Sequence, residues 1–318
     1  MPLTRGDHPW PLVELRARTK ISPDEMADKV GKIITEDDYN VVATGPVKML
    51  KPNGEPLFIY IPNAIPEALA DQAYEVLHTI RGVTDNRGLA SGGRRIKKFN
   101  TGKDKQTRAP NVMSSVIGNF DPMSKRFPYC RTTAWTGSNA DEFSTLFDTF
   151  RFTAELFKTY VPDRYAVQMR YCEQTQDDWR IADTPYSTMT VNNTYPTGVH
   201  KDAGDLEEGF SQIFCLRRGD YGGGVLSFPE YRVAVDLQDR DFIMMDAHEW
   251  HGNTAIDARS EDAERISVVL YYRTAMTTCG TMEEEIAKAR AAVEKGLGLD
   301  DMVPEVRDTV TTKMALDE

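Results

Sequence analysis

Residues 187–202 read STMTVNNTYPTGVHKD. A run rich in Thr, Val and Asn (Ser187–Asn193) gives way to the turn-forming Thr194–Gly198, and His200-Lys201-Asp202 follows at once. The run reads as a strand, because β-branched residues pack well on a pleated surface while Pro196 and Gly198 punctuate the chain. Working outward, similar short runs occur at Tyr165–Tyr171, Ser211–Leu216, Gly224–Phe228, Tyr231–Leu237, Asp241–Asp246 and Ile266–Tyr272. Seven such runs, with no long helical pattern between them, predict an antiparallel sandwich or barrel.

The flanks read differently. Leu57–Ile61 predicts a buried strand. Leu69, Ala73, Val76, Leu77 and Ile80 share one helical face, as do Phe143, Leu146, Phe147, Phe150, Ala154 and Phe157. Ser22-Pro23 and the capping box Thr281–Glu284 are helix starts, the second helix running to Gly296. Residues 1–50 are polar and irregular. The four cysteines, Cys130, Cys172, Cys215 and Cys279, stand singly, which predicts reduced thiols and excludes a CxxC zinc or redox motif. No secretory leader or long apolar run is visible, so a cytoplasmic, nucleoid or nuclear setting without membrane contact is expected.

The chain of 318 residues carries a formal charge of −11. That total argues against a generic polyanion binder. Its distribution does not, since Arg87–Arg108 holds eight cations against one acid, a net +7, leaving −18 elsewhere. The segment has no helical or strand period and reads as a long loop.

Five histidines occur, and three lie in the β-rich half. On a strand, residues i and i+2 share a face, so His200 and Asp202 can bind one cation together. His251 follows 51 residues later, and Arg265 stands 14 residues beyond it, at the head of the last strand. Two imidazoles and one carboxylate on one face suit Fe(II) in a non-haem oxygenase, with the other face open to 2-oxoglutarate and O2. A guanidinium grips a carboxylate through two parallel hydrogen bonds, which suits Arg265 to the far end of 2-oxoglutarate, and Ser267 lies two residues on. His248 is the alternative third ligand.

These residues fall within blocks that resemble the TET/JBP family of 5-methylpyrimidine dioxygenases: TGVHKDAGDL (197–206), YGGGVL (221–226), YRVAVD (231–236), MDAHEWHGNT (245–254) and ERISVV (264–269), with FPYCRT (127–132) as a weaker upstream block. The resemblance implies an α+β, mainly β chain with a double-stranded β-helix (jelly-roll, cupin-like) core and supporting helices. It divides the chain into an N-terminal extension (1–50), a support region with the basic loop 87–108 (51–160), the catalytic core (161–276) and a C-terminal helix and tail (277–318). It implies Fe(II) on His200, Asp202 and His251, and 2-oxoglutarate on Arg265, Ser267 and Asn193. It further implies hydroxylation of 5-methylcytosine in DNA, the base being flipped into the barrel mouth that a stacked base cannot reach.

For the base, the resemblance points to Asp205 as an acceptor and Tyr271 as a stacking ring. Arg273 stands where cytosine-oxidising relatives tend to carry His, so thymine in DNA is the nearest alternative substrate, and a small molecule such as an amino acid or nucleoside is the next. Asn111 and Arg131 are upstream candidates for the pocket. Arg94, Arg95, Lys97 and Lys98 are the expected DNA-backbone contacts. A cupin-like binding module without turnover is the reading from another class, and no feature points to an obligate protein partner.

Overall fold

The computed structural model describes residues 11–85, 87–92, 95–97, 104–106, 110–122 and 127–294, with the backbone alone at 95–97 and 104–106. Two facing β-sheets form the core. The larger has ten strands, with Thr188–Asn193 between Glu264–Tyr271 and Val112–Phe120, and Ser211–Arg218 between Glu264–Tyr271 and Phe242–Met245. Pro56–Ile61 extends the sheet beyond Phe242–Met245. The smaller sheet is formed by Gly252–Asn253, Leu226–Phe228, Val233–Val235 and Val41–Ala43. This is the sandwich expected from the short strand-like runs, in the jelly-roll form that the resemblance implies. Residues before 51 take part in it: Val41–Ala43 joins the small sheet, and Val13–Arg16 and Val47–Leu50 join the large one.

The period of two decides what each face does. In Glu264–Tyr271, the even residues Ile266, Val268 and Leu270 are fully buried beneath helices. They pack with Ile59 and Ile61, with Met189 and Val191, and with Phe150, Leu156 and Phe157 of the helix Phe147–Tyr160. Each such side chain contributes roughly 1.5–3 kcal/mol by leaving water. The odd residues Arg265, Ser267, Val269 and Tyr271 line a cavity on the other face. Beyond that cavity, Phe58, Tyr60, Ile243, Met245, Phe228 and Val235 close the sandwich with an apolar cluster.

Three expectations are corrected. Tyr165–Tyr171 is helical, inside Pro162–Gln174. Pro162 occupies the first turn with Asp163 beside it, and Gln168 and Cys172, four apart, are the buried positions, so the local start signal overrides the strand-like composition. The single helix expected around 143–157 is two, Ala140–Thr145 and Phe147–Tyr160, meeting at Leu146. Cys130 and Cys279 form a disulfide across 149 residues, while Cys172 and Cys215 are free and buried. Cysteines far apart in sequence leave no spacing signal when the fold joins them.

The basic stretch also differs from a plain loop. Arg95–Lys97 pairs antiparallel with Asp104–Gln106. A two-stranded ribbon is held by its backbone and requires no apolar alternation, so no period marked it. Arg94 and Lys98 lie outside the described residues. No described helix is long and apolar enough to cross a membrane.

Candidate metal centre and base pocket

His200 and His251 face each other through a two-residue antiparallel bridge, in which each backbone amide donates to the other's carbonyl at 2.9 and 3.0 Å. The Asp202 amide donates to Ala247 O at 3.0 Å, fixing the acid beside them. Each imidazole Nδ1 is 2.8–2.9 Å from a carbonyl two residues earlier, Gly198 O for His200 and Glu249 O for His251. That contact places the proton on Nδ1 and leaves the Nε2 lone pairs free. Nε2 of His200 lies 3.3 Å and that of His251 4.0 Å from the Asp202 carboxylate. The candidate ligand atoms of all three residues lie within 4.8 Å of one another.

The electrostatics suit a cation. Burial together with the His200 ring lowers the His251 pKa to about 4, so this imidazole is neutral at pH 7. Burial works against the Asp202 charge, but the two imidazoles hold its pKa at about 2. His248 is elsewhere: its Nδ1 is 3.4 Å from Asp246, and it borders a hollow with Lys51, Glu207 and Glu249. The structure therefore brings His251, and not His248, to His200 and Asp202.

A cavity of about 360 Å³ opens beside this group, within the range of small-molecule sites. Arg265 lies at one end, 3% exposed. Its aliphatic stem rests on Gly224, where an added Cβ would lie 3.1 Å from Cδ and Nε; at Gly223 a Cβ would meet Ala255 O at 1.8 Å. The glycine block thus lets the backbone pass the guanidinium. None of the ion pairs among the described residues involves Arg265. Ser267 and Asn192 are cross-strand partners that both line the cavity, and Ser114 Oγ donates to Asn192 Oδ1 at 2.5 Å.

Asn193 points the other way, donating from Nδ2 to Glu264 Oε1 at 2.7 Å on the helix side. Asn193, expected to touch the cosubstrate, does not line the cavity, whereas Asn192 does, because neighbouring strand residues face opposite ways.

At the other end stand Asp205, Tyr271 and Arg273. Burial and the Asp202 charge raise the Asp205 carboxyl to about 8, while Ser211 Oγ donates to it at 3.3 Å. Tyr271 Oη is 3.1 Å from Thr190 Oγ1, and burial lifts its pKa to about 12. Arg273 donates from Nε to Asp121 at 2.6 Å and lies over the Phe120 ring.

Asn111 is exposed and does not line the cavity; Ser114, three residues on, does. Arg131 lies instead over the rings of Phe120 and Phe127. Arg87, grouped by sequence with the basic stretch, lines the cavity with Tyr195, and neither Arg87 Nε nor Tyr195 Oη has a hydrogen-bond partner among the described residues. Burial pulls the Arg87 guanidinium below the ordinary arginine range.

A family model for the Tet_JBP oxygenase domain of the 2OGFeDO superfamily matches residues 121–274. Those residues are similar to a Tet/JBP oxygenase domain. By class the Tet/JBP domain is a 2-oxoglutarate-dependent dioxygenase, and the match begins at Asp121 and ends just past Arg273. Thymine dioxygenase JBP1 of Trypanosoma brucei brucei (strain 927/4 GUTat10.1) is 28% identical over 264 residues, covering 81% of this chain and 29% of that protein. Thymine dioxygenase JBP1 of Crithidia fasciculata is 32% identical over 170 residues, covering 52% and 20%. The chain therefore spans less than a third of the length of these relatives. The solved structure of NgTET1 in complex with 5mC DNA superimposes with a TM-score of 0.57 at 14% identity, covering 88% of this chain and 91% of that one, so the two share a fold.

Proposed function

We propose that the chain hydroxylates the 5-methyl group of a pyrimidine base in DNA, the base being flipped into the cavity. The observation that carries this reading is one cavity bordered by all the required groups: the His200–Asp202–His251 cluster, Arg265 at one end, and Asp205, Tyr271 and Arg273 at the other. The residues fit Fe(II), since two imidazoles with free Nε2 and one ionised carboxylate converge on one side while the cavity leaves the other open. Arg265, buried without an acid partner, fits the far carboxylate of 2-oxoglutarate, with Ser267 beside it and Asn192 within the same wall. Held by His200, Asp202 and His251, Fe(II) would supply O2 activation coupled to oxidative decarboxylation of 2-oxoglutarate, one oxygen atom entering succinate as CO2 leaves and the other becoming the new hydroxyl.

The protein's own groups orient the base. Tyr271 offers a ring face for stacking, and Arg273 donates to a carbonyl oxygen of the base. Asp205 is an acceptor for thymine N3–H or for the exocyclic amine of 5-methylcytosine, so both bases suit these groups. Thymine is put first because relatives aligned over 81% of this chain are thymine dioxygenases and because Arg273 stands in place of His. 5-Methylcytosine is the second reading. The cationic ribbon around Arg94, Arg95, Lys97 and Lys98 supplies backbone contacts on this reading.

The test is incubation with Fe(II), 2-oxoglutarate and duplex DNA with or without 5-methylcytosine, followed by nucleoside mass spectrometry. 5-Hydroxymethyluracil supports thymine and 5-hydroxymethylcytosine supports the second base. Succinate release without either product, on DNA of several sequences, refutes the DNA reading.

A further inference from the structure

Arg273 is flanked by two acids, and only one of them binds it. Its Nε donates to Asp121 Oδ1 at 2.6 Å, and both side chains are largely buried, 16% and 6% exposed. Asp205 is a backbone bridge partner of Arg273, and the two side chains are close enough for their charges to interact. No ion pair joins them among the described residues. The guanidinium is closely packed. The centroid of the Phe120 ring lies 4.3 Å from its central carbon, and a Cβ at Gly204, where φ is +91°, would come within 2.7 Å of its terminal nitrogen. Its backbone N–H is fixed as well, donating to Ser187 Oγ at 3.1 Å.

We propose that Asp121 is a positioning residue for base recognition: by holding Arg273 at Nε, it aims the two terminal nitrogens at the cavity and keeps the guanidinium from collapsing onto Asp205. This rests on the reading of Arg273 and Asp205 as the groups that face the base. A guanidinium beside two carboxylates binds whichever offers the better geometry, and an arginine captured by Asp205 would occupy the acceptor meant for the substrate while spending its own donors. Asp121 resolves that competition. It arrives from the end of the strand Val112–Phe120, in a sheet whose register with Thr188–Asn193 is fixed over five residue pairs, so its carboxylate is a rigid anchor. Phe120 lies over the guanidinium, and Gly204 leaves room for its terminal nitrogen. Asp121 touches no substrate on this account and acts through Arg273.

The experiment compares wild type, D121N, D205N, the double variant and D121E. Binding of 2-oxoglutarate to the Mn(II)-loaded protein is measured by calorimetry, and kcat and KM are measured for DNA carrying the base that wild type oxidises. If wild type oxidises no DNA base, the proposed function and this inference both fail; if it does, the positioning proposal stands or falls on the differences between variants. D121N is expected to raise KM for DNA about tenfold to a hundredfold, the order of loss that misorientation produces, with 2-oxoglutarate binding unchanged. In the D205N background the cost of D121N shrinks, because no acid at 205 remains to capture Arg273. D121E, which restores the charge on a longer arm, recovers part of the loss. Equal costs of D121N in both backgrounds, a fall confined to kcat, no recovery in D121E, or loss of 2-oxoglutarate binding in D121N would each overturn the proposal.

Discussion

On the proposed function, Arg265 makes opposite contributions to stability and to cosubstrate binding, and the conflict can be measured. The guanidinium is 3% exposed and none of the ion pairs among the described residues neutralises it. A buried charge without its partner costs several kcal/mol after relaxation, and replacing a buried ionic group by an apolar one of similar length is neutral or stabilising by about 1–4 kcal/mol. Arg265→Met keeps the unbranched stem against Gly224. It also keeps the backbone amide that donates to Thr194 Oγ1 at 3.2 Å. Taking about 2 kcal/mol as the gain, and an unfolding entropy of about 2.1 cal/mol/K per residue over the chain, Tm of the protein without cosubstrate should rise by about 3 °C. With 2-oxoglutarate the sign reverses. Removing one partner of a buried charge pair costs about 2–5 kcal/mol, so affinity should fall on the order of 150-fold for a loss of 3 kcal/mol. Differential scanning calorimetry with and without 2-oxoglutarate, on Mn(II)-loaded protein, reads both effects. A lower Tm in the free variant would show that Arg265 has a structural partner, and an unchanged 2-oxoglutarate affinity would move the carboxylate clamp elsewhere.

Asp202→Ala should abolish metal binding and turnover while leaving Tm of the metal-free protein within a few degrees, since its amide bond to Ala247 O is retained; turnover surviving in this variant would refute the metal assignment. Glu285, almost wholly buried, accepts the Cys130 and Gly280 amides at 2.7 Å each beside Lys288. Burial opposes its ionisation, yet those partners hold its pKa below the ordinary carboxylate range. Its contribution is therefore full above the unfolded value near 4.3 and is lost as pH falls through the lower folded value. Glu285→Gln should cost roughly 1.5–3 kcal/mol at pH 7 and much less at pH 3, read from urea midpoints across pH; a penalty that stays constant with pH would contradict this assignment. Neutralising Arg94, Arg95, Lys97 and Lys98 together should weaken DNA binding and flatten its dependence on log salt, and an unchanged slope would place the backbone contacts elsewhere.

The features legible in the sequence were those that repeat or that cluster a rare residue type. Short β-type runs separated by turns, those at 187–193 and 266–272 among them, disclose the sandwich. Histidine is scarce, so His200 and His251 stood out, and the fold does bring them to Asp202. What stayed hidden depends on three-dimensional neighbours. Asn192 and Asn193 are identical residues one position apart, and only the register separates the cavity from the helix layer. Asp121 is an ordinary acid until its distance to Arg273 is known. Arg87 was absorbed into a run of cations, although burial sets it apart from a solvent-facing charge. Tyr165–Tyr171 misled because strand-like composition over seven residues could not outweigh Pro162 at a helix start.

One strand links the two ends of the site. Arg265, Ser267, Val269 and Tyr271 lie on the same face of Glu264–Tyr271, and Arg273 continues the spacing beyond its end. At about 3.3 Å per residue, the cosubstrate end and the stacking tyrosine are separated by roughly 20 Å along a single backbone. Neighbouring strands fix that backbone on both sides, through register with Thr188–Asn193 and with Ser211–Arg218. The spacing between Arg265 and Tyr271 is thus a property of the sheet and does not depend on loop closure. The same geometry makes the strand intolerant of insertion or deletion. Removing one residue between 266 and 270 would exchange the faces of whichever end shifts. Either Arg265 and Ser267 would turn into the helix layer that holds Phe150 and Phe157, or Tyr271 and Arg273 would. A buried arginine among phenylalanines costs more than any one contact in the site supplies, so such a deletion would unfold the sheet before it altered specificity. On the proposed reading, substrate choice therefore changes just beyond the strand, at Arg273, and at the acids beside it, Asp121 and Asp205, where side chains can be exchanged without altering the register.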